Sequence, residues 1–186
     1  MHWKSISHEF LEVFKERGIF NMKEKDLRIL VVYYSFEGNT KLISESIAEE
    51  MDSDILKLEV VKPISNDVTK YIVGGKQVIL KEKPKLMPYE FKPENYDVLF
   101  IGTPIWAWNY APALRTFFGE NSIRNKKIAL FSCEGSSNGK TFENMKKTLE
   151  GNEFLGEIEF FEPLNTNRER SIELAKSWAK KMIASI

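Results

Sequence analysis

The sequence predicts an α/β protein in which helices cover both faces of a parallel five-stranded sheet. Short segments that are apolar at nearly every position alternate with segments of helical period, which is the pattern of strands buried on both faces. The chain has 186 residues, of which 42% are hydrophobic, enough for one domain with a sizeable core. Its single cysteine cannot form an intrachain disulfide, so this core has to stabilise the fold alone.

The chain begins with a predicted helical extension, residues 1–26, that precedes the main domain, residues 27–186. Four apolar residues fall at helical spacing between positions 6 and 14, and Gly18 lies where such a helix would end. We interpret this extension as a surface helix that packs on the main domain. A dimer contact and a non-native start are the alternatives.

Strands and helices alternate along the main domain. Five strands are predicted from apolar runs: Leu27–Ser35, Asp54–Val60, Tyr96–Thr103, Lys127–Ser132 and Glu157–Phe161. Four helices are predicted from apolar residues three or four positions apart: Asn39–Met51, Ala111–Phe118, Lys140–Leu149 and Thr166–Ile183. Pro112 is suited to a first helical turn, and Thr166 with Glu169 forms a capping-box pattern at the start of the last helix.

Composition excludes several classes of function. Lys and Arg together number 27, as do Asp and Glu, so no overall charge attracts the chain to nucleic acid. Both histidines, His2 and His8, lie in the extension, which excludes a Ser–His or histidine–metal catalytic site in the main domain. No apolar run has the length of a membrane span or a secretion signal. We therefore expect a cytoplasmic protein that is not inserted in a membrane and works with a bound cofactor.

The segment after the first strand has the composition of a phosphate site. Open parallel sheets bind ligands beyond the carboxyl ends of their strands. Gly38 allows a tight turn there, and Ser35, Asn39 and Thr40 add side-chain donors at the start of a helix. Ordinary helix capping by the same residue types is the alternative interpretation.

Two further segments follow strands at the same edge of the predicted sheet. The first carries Trp106, Trp108 and Tyr110, which would form an apolar wall for a planar ring, unless they pack on neighbouring loops. The second begins at Cys133 and Glu134 and offers free amides to the edge of a heterocycle. Cys133 itself is interpreted as a packing residue because it has no histidine partner.

These segments together resemble a known family. VVYYSFEGNT is similar to the S/T-x-x-G-N-T phosphate loop of flavodoxins, and DVLFIGTPIWAWNYAPALRTFF is similar to the second flavin loop and following helix of a branch of that family. The resemblance extends from about Leu27 to the C-terminus. It implies a flavodoxin-like three-layer sandwich with strand order 2-1-3-4-5, non-covalently bound FMN, and transfer of one or two electrons.

The resemblance also implies a role for individual residues. The FMN phosphate would be held by Ser35, Glu37, Gly38, Asn39 and Thr40. The isoalloxazine ring would be lined by Pro104, Ile105, Trp106 and Ala107, with Trp106 as the stacking ring. The pyrimidine edge of the ring would meet Cys133, Glu134 and Gly135, largely through backbone groups.

The partners implied are redox proteins or small electron acceptors, and the chain is expected to be a monomer or a homodimer. It lacks the strong negative charge of many flavodoxins, which leaves the identity of its partners open. The main alternative function is an FMN-dependent NAD(P)H:quinone-type oxidoreductase, in which the irregular segment Lys62–Asn95 would cover the flavin or shape a substrate pocket. A remote alternative is a P-loop nucleotide hydrolase, because Gly135–Thr141 approaches G-x-x-x-x-G-K-[ST] with its first glycine one residue too close.

Overall fold

The computed structural model describes residues 27–62, 76, 78, 80–135 and 139–186. The predicted extension, residues 1–26, lies outside the described residues. So does most of the helix-like part of the irregular segment, residues 63–75, together with positions 77 and 79.

Five parallel strands and one short antiparallel strand form the sheet. The strands are β1 (Ile29–Tyr33), β2 (Asp54–Lys57), β3 (Val98–Trp106), β4 (Asn109–Tyr110), β5 (Lys127–Glu134) and β6 (Glu153–Phe161). The parallel strands run in the order β2-β1-β3-β5-β6, and β4 pairs only with the end of β3. Since β4 is a short addition, this order confirms the predicted 2-1-3-4-5 arrangement of the five main strands.

Helices cover both faces, so the predicted three-layer arrangement is confirmed for the described residues. The helices are α1 (Asn39–Met51), α2 (Pro112–Glu120), α3 (Thr141–Thr148) and α4 (Arg168–Ala184), and a 3₁₀ turn spans Pro93–Asn95. The core between α1, α4 and the sheet includes Ile43, Phe131 and Trp178. The opposite core, beneath α2 and α3, includes Leu114 and Met145.

Strand β1 shows why the buried strands are apolar at nearly every position. Leu30 and Val32 belong to the core beneath α2 and α3, whereas Val31 between them belongs to the core beneath α1 and α4. All three side chains are at most 3% exposed. Successive side chains on a strand point to opposite faces, so a strand covered on both faces buries apolar side chains at nearly every position.

Several predicted boundaries need correction. Strand β1 is two residues shorter at each end than predicted, β2 ends at Lys57, three residues before its predicted end, and β5 continues two residues further, to Glu134. Strand β3 continues three residues past Thr103, and β6 begins at Glu153, four residues before its predicted start. Helix α4 begins at Arg168, and its N-cap is Asn167, whose Oδ1 accepts a hydrogen bond of 3.2 Å from the Arg170 amide. The predicted cap residue, Thr166, instead donates its hydroxyl to the Phe161 carbonyl, so it closes the turn that precedes the helix.

Candidate functional site

A cavity of about 210 Å³ lies at the carboxyl edge of the sheet, over the ends of β1, β3 and β5. Of the twelve predicted site residues, eleven line it, and the structure adds Phe36 and Glu162. The described residues that line it are Ser35, Phe36, Glu37, Asn39, Thr40, Pro104, Ile105, Trp106, Ala107, Cys133, Glu134, Gly135 and Glu162. The three predicted segments therefore meet in one cavity.

Gly38 is the one predicted site residue outside the lining, and it acts through the backbone. It is the N-cap of α1 with φ 98°, a left-handed conformation that glycine adopts without strain. Its carbonyl accepts the Leu42 amide at 2.9 Å, and the Ser35 hydroxyl accepts the Lys41 amide at 3.1 Å. These contacts turn the chain sharply from β1 into α1, which places the start of the helix at the cavity.

Thr40 supplies a polar group that nothing in the described chain satisfies. The residue is 1% exposed and lines the cavity, and its Oγ1 has no hydrogen-bond partner of normal geometry among the described residues. The neighbouring thiol of Cys133 interacts with it, but thiols are weak hydrogen-bonding groups. Buried hydroxyls normally have a partner, so this one fits a ligand held at the N-terminus of α1.

The predicted aromatic loop is a two-residue hairpin that joins β3 to β4. Trp106 pairs with Asn109, and the two residues between them have positive φ, 46° at Ala107 and 58° at Trp108. Positive φ at both central residues is the type I′ geometry, which usually has Asn-Gly at these positions. Ala and Trp carry no such turn signal, so the hairpin could not be predicted from the sequence.

The expectation that three aromatic residues form one apolar wall is wrong for two of them. Trp108 is 66% exposed, and Tyr110 is buried in the core with its hydroxyl 3.1 Å from Thr148 Oγ1. Trp106 alone lines the cavity. The rings of Tyr34 and Phe36 pack nearly perpendicular to the Trp106 ring. Their centroids lie 5.8 and 5.6 Å from the Trp106 centroid, at interplanar angles of 88° and 84°. Two perpendicular neighbours fix the Trp106 ring as one rigid wall of the cavity.

Replacing Ala107 by glycine is expected to stabilise the protein. An alanine at φ 46° carries a strain of about 1–2 kcal/mol, part of which is offset by the greater entropy of an unfolded glycine. The Ala107 side chain is exposed, so the change removes little buried surface. Urea denaturation of the cofactor-free protein should show a gain of about 0.5–1 kcal/mol.

The matched control is Ala113→Gly, at a helical position of α2. There glycine is expected to cost about 2 kcal/mol, because its unfolded chain is freer, no strain is relieved, and the buried methyl group of Ala113 is lost. A loss of stability in both variants would show that Ala107 is not strained.

The third wall of the cavity is the end of β5. Burial raises the pKa of the Cys133 thiol to about 12, with the Thr40 contact opposing and the charge of Glu134 adding to this shift. The thiol is therefore neutral at physiological pH, in agreement with its interpretation as a packing residue. The pKa of Glu134 is also raised, to about 7. Burial is the largest cause, and a side-chain hydrogen bond to Glu159 and the charge of that carboxylate raise the pKa further.

The loop after β6 contributes to the cavity and was missed from the sequence. The Leu164 amide donates to Asn39 Oδ1 at 3.0 Å, so the side chain predicted to hold phosphate also anchors this loop. Glu162 lines the cavity from the same loop. One signal was present: all parallel strands end at the same edge of the sheet, so the segment after the last strand is also a candidate.

The P-loop alternative falls on a segment that is only partly described, since residues 136–138 lie outside the description. Its second glycine, Gly139, leaves no room for a side chain, because a Cβ there would lie 3.0 Å from the Trp108 carbonyl oxygen. The Lys140 amide donates to the same oxygen at 3.3 Å. The described part of the segment thus packs under the β3–β4 hairpin.

Within the described ranges, no group of three or more His, Cys, Asp and Glu side chains is arranged to hold a metal ion. The helices of those same ranges are also too short or too polar for one of them to cross a bilayer.

Fold and cavity define the class of the protein. The parallel strands run in the order β2-β1-β3-β5-β6, and the cavity lies at the carboxyl ends of the central strands. This arrangement defines a doubly wound α/β protein of the flavodoxin type. The sequence profile of the flavodoxin family matches residues 28–182, and the chain belongs to this family.

Individual relatives agree with the family assignment. An uncharacterized protein of Methanocaldococcus jannaschii, MJ0298, is 26% identical over 175 residues, which cover 84% of this chain and 99% of that protein. A flavoprotein of Lactobacillus acidophilus, solved in complex with FMN, has a TM-score of 0.64 and 23% identity, over 72% of this chain and 93% of its own. Flavodoxin 2 of Bacillus cereus has a TM-score of 0.53 and 17% identity, over 86% and 99%. At such identities the structural likeness concerns the fold.

Proposed function

We propose that this chain binds FMN non-covalently in the cavity at the carboxyl edge of the sheet and transfers electrons through it. The observation that carries the proposal is the unpartnered hydroxyl of Thr40, which is buried at the start of α1 and faces the same cavity as the rigid ring of Trp106. A phosphate acceptor and a flat apolar wall in one cavity match the two ends of a mononucleotide flavin. The FMN-bound flavoprotein of Lactobacillus acidophilus, which shares the fold, supports the proposal.

The chain's own residues would bind and orient the cofactor. Lysine, arginine and histidine are absent from the described residues that line the cavity, so backbone amides of the Ser35–Thr40 turn and the Thr40 hydroxyl would hold the phosphate. Trp106 would cover the ring and exclude water from it. When bound, FMN supplies the one- and two-electron chemistry, and the protein supplies affinity, orientation and electrostatics.

The first test is whether the protein takes up the cofactor. We expect purified protein to carry a yellow chromophore whose released form has the mass of FMN, and cofactor-free protein to quench FMN fluorescence with one-to-one stoichiometry. Protein that stays colourless and leaves the fluorescence of added FMN unchanged would refute the proposal.

The second test separates an electron carrier from the alternative NAD(P)H:quinone-type oxidoreductase. We expect slow steady-state oxidation of NADH or NADPH by the FMN-loaded protein in the presence of a quinone, and fast reduction by a flavodoxin reductase. Rapid turnover of nicotinamide and quinone by the protein alone would assign the enzymatic function instead.

A further inference from the structure

Glu134, which lines one edge of the cavity, has a second glutamate, Glu159, beside it on the neighbouring strand. In the register of β5 and β6, Glu134 of β5 pairs with Phe161 of β6. Glu159 lies two residues before Phe161, and it pairs with Ser132, which lies two residues before Glu134. The two carboxyl side chains are therefore diagonal neighbours on the same face of the sheet. The interaction with Glu159 raises the pKa of the Glu134 carboxyl, as expected for two carboxyl groups within reach of each other. An ionised carboxylate can only accept a hydrogen bond, so the two groups can bond to each other only when one of them carries a proton.

The environment of Glu134 favours its neutral form. Its side chain lines the cavity, and its Oε2 is buried without a hydrogen-bond partner among the described residues. Among the described residues, the other ionisable groups that line the cavity are two further glutamates, Glu37 in the turn after β1 and Glu162 after β6, and the neutral thiol of Cys133. None of these groups supplies a positive charge.

Two helices, α2 and α3, pack on this face. The guanidinium of Arg115 of α2 lies over the Tyr110 ring, 5.0 Å from its centroid. Lys146 of α3 reaches the same face of β6, but its ammonium group lies 2.7 Å from the carboxylate of Glu157. Lys140, which precedes α3, is exposed to solvent. Burial and the adjacent Glu159 accordingly raise the pKa of Glu134 to about 7. Near neutral pH the pair thus exchanges one proton with solvent.

We propose that Glu134 binds the ring of FMN as a neutral carboxyl, that Glu159 is the positioning residue that keeps the proton on it, and that cofactor binding takes up one proton from solvent at this pair. The inference rests on the proposed function. A flavin bound in this cavity would cover Oε2 of Glu134 and exclude water from it, which would penalise the charged form of the carboxyl further. A neutral carboxyl both donates and accepts, as the alternating carbonyl and N–H groups of a flavin edge require. Only an O–H bond forms, and its proton comes from solvent.

The direction of the pH effect follows from linkage. If the bound cofactor raises the pKa of the pair above its value of about 7 in the free protein, binding takes up a proton between the two values. The affinity for the flavin is then highest below pH 7 and falls as the pH rises above 7. For the uptake of one proton, the dissociation constant can rise by at most about tenfold per pH unit. We expect the dissociation constant at pH 9 to exceed that at pH 6 by about tenfold or more.

The test is a series of fluorescence-quenching titrations of cofactor-free protein with FMN between pH 6 and pH 9. Riboflavin serves as a second probe because it lacks the phosphate, whose own pKa lies near 6. We expect the same loss of affinity above pH 7 with both probes, and none with Glu134→Gln, which is neutral at every pH. Wild-type affinity that is constant from pH 6 to pH 9 would overturn the inference, as would a Glu134→Gln variant that keeps the wild-type slope.

The role of Glu159 has its own readout. In Glu159→Gln the neighbouring charge is gone, so Glu134 ionises at lower pH, and the loss of affinity should begin below pH 7. Glu153→Gln, at the opposite end of β6 and paired with Lys127 there, is the matched control and should keep the wild-type profile. A shift in both variants, or in neither, would contradict the positioning role. Failure to bind FMN at any pH would refute the proposed function itself, whereas binding without pH dependence would refute only this inference.

Discussion

Replacing Gly102 by alanine is expected to destabilise the protein by about 3 kcal/mol, a large part of the stability of an ordinary domain. Gly102 lies in the buried part of β3, opposite Phe131 of β5, whose ring crosses the glycine. A Cβ at Gly102 would overlap Cζ and Cε2 of that ring and lie 3.0 Å from Cε1. Phe131 is fully buried among the residues beneath α1 and α4, so its ring cannot move aside without disturbing the core. Urea denaturation of the cofactor-free protein measures the loss.

The matched control is Gly119→Ala, the same change in the last turn of α2. A Cβ there would lie 2.9 Å from Lys83 Nζ, the end of a flexible side chain that can turn away. Alanine also favours the helix over glycine by up to about 1 kcal/mol, so this variant should be as stable as the wild type or more stable. In a double-mutant cycle, Phe131→Leu should recover part of the loss in Gly102→Ala. Strictly additive effects would show that the ring is not what opposes the new methyl group.

Much of the fold was predictable because buried segments have a recognisable pattern of apolar residues in the sequence. Strands that are covered on both faces are apolar at nearly every position, as β1 and the first half of β3 are, and the helices between them keep one apolar face. The turn from β1 into α1 was also predictable from the sequence, because Gly38 lies at the position where the backbone adopts a left-handed conformation. The strand order came from the family resemblance, because periodicity alone does not determine which strands are neighbours.

The parts that were missed depend on long-range geometry. The Glu134–Glu159 pair requires the β-bulge between Ile128 and Ala129, at which β6 gains one residue, Leu155, relative to β5. Without that extra residue the register would slip by one and Glu159 would lie on the opposite face of the sheet. The contact between Leu164 and Asn39 likewise joins residues 125 positions apart. No local pattern encodes either arrangement.

Replacing Thr40 by valine is expected to weaken FMN binding while leaving the cofactor-free protein as stable as before, or more stable. Valine keeps the shape of threonine and removes the hydroxyl. A hydrogen bond from that hydroxyl to a phosphate is worth about 1.5–3 kcal/mol, so the dissociation constant of FMN should rise about 10- to 100-fold. Without the cofactor the same hydroxyl is buried and unpartnered, which costs free energy, so its removal should gain up to about 1 kcal/mol.

These opposite signs distinguish a ligand-binding hydroxyl from a structural one. A hydroxyl that held the fold together would lower both stability and affinity when removed. Thr40→Ser is the control: it keeps the hydroxyl, so FMN affinity should change only a few-fold. Because it deletes a methyl group at a site that is 1% exposed, it should lose about 1 kcal/mol of stability. If Thr40→Val destabilises the cofactor-free protein and binds FMN as the wild type does, the phosphate does not lie at the start of α1.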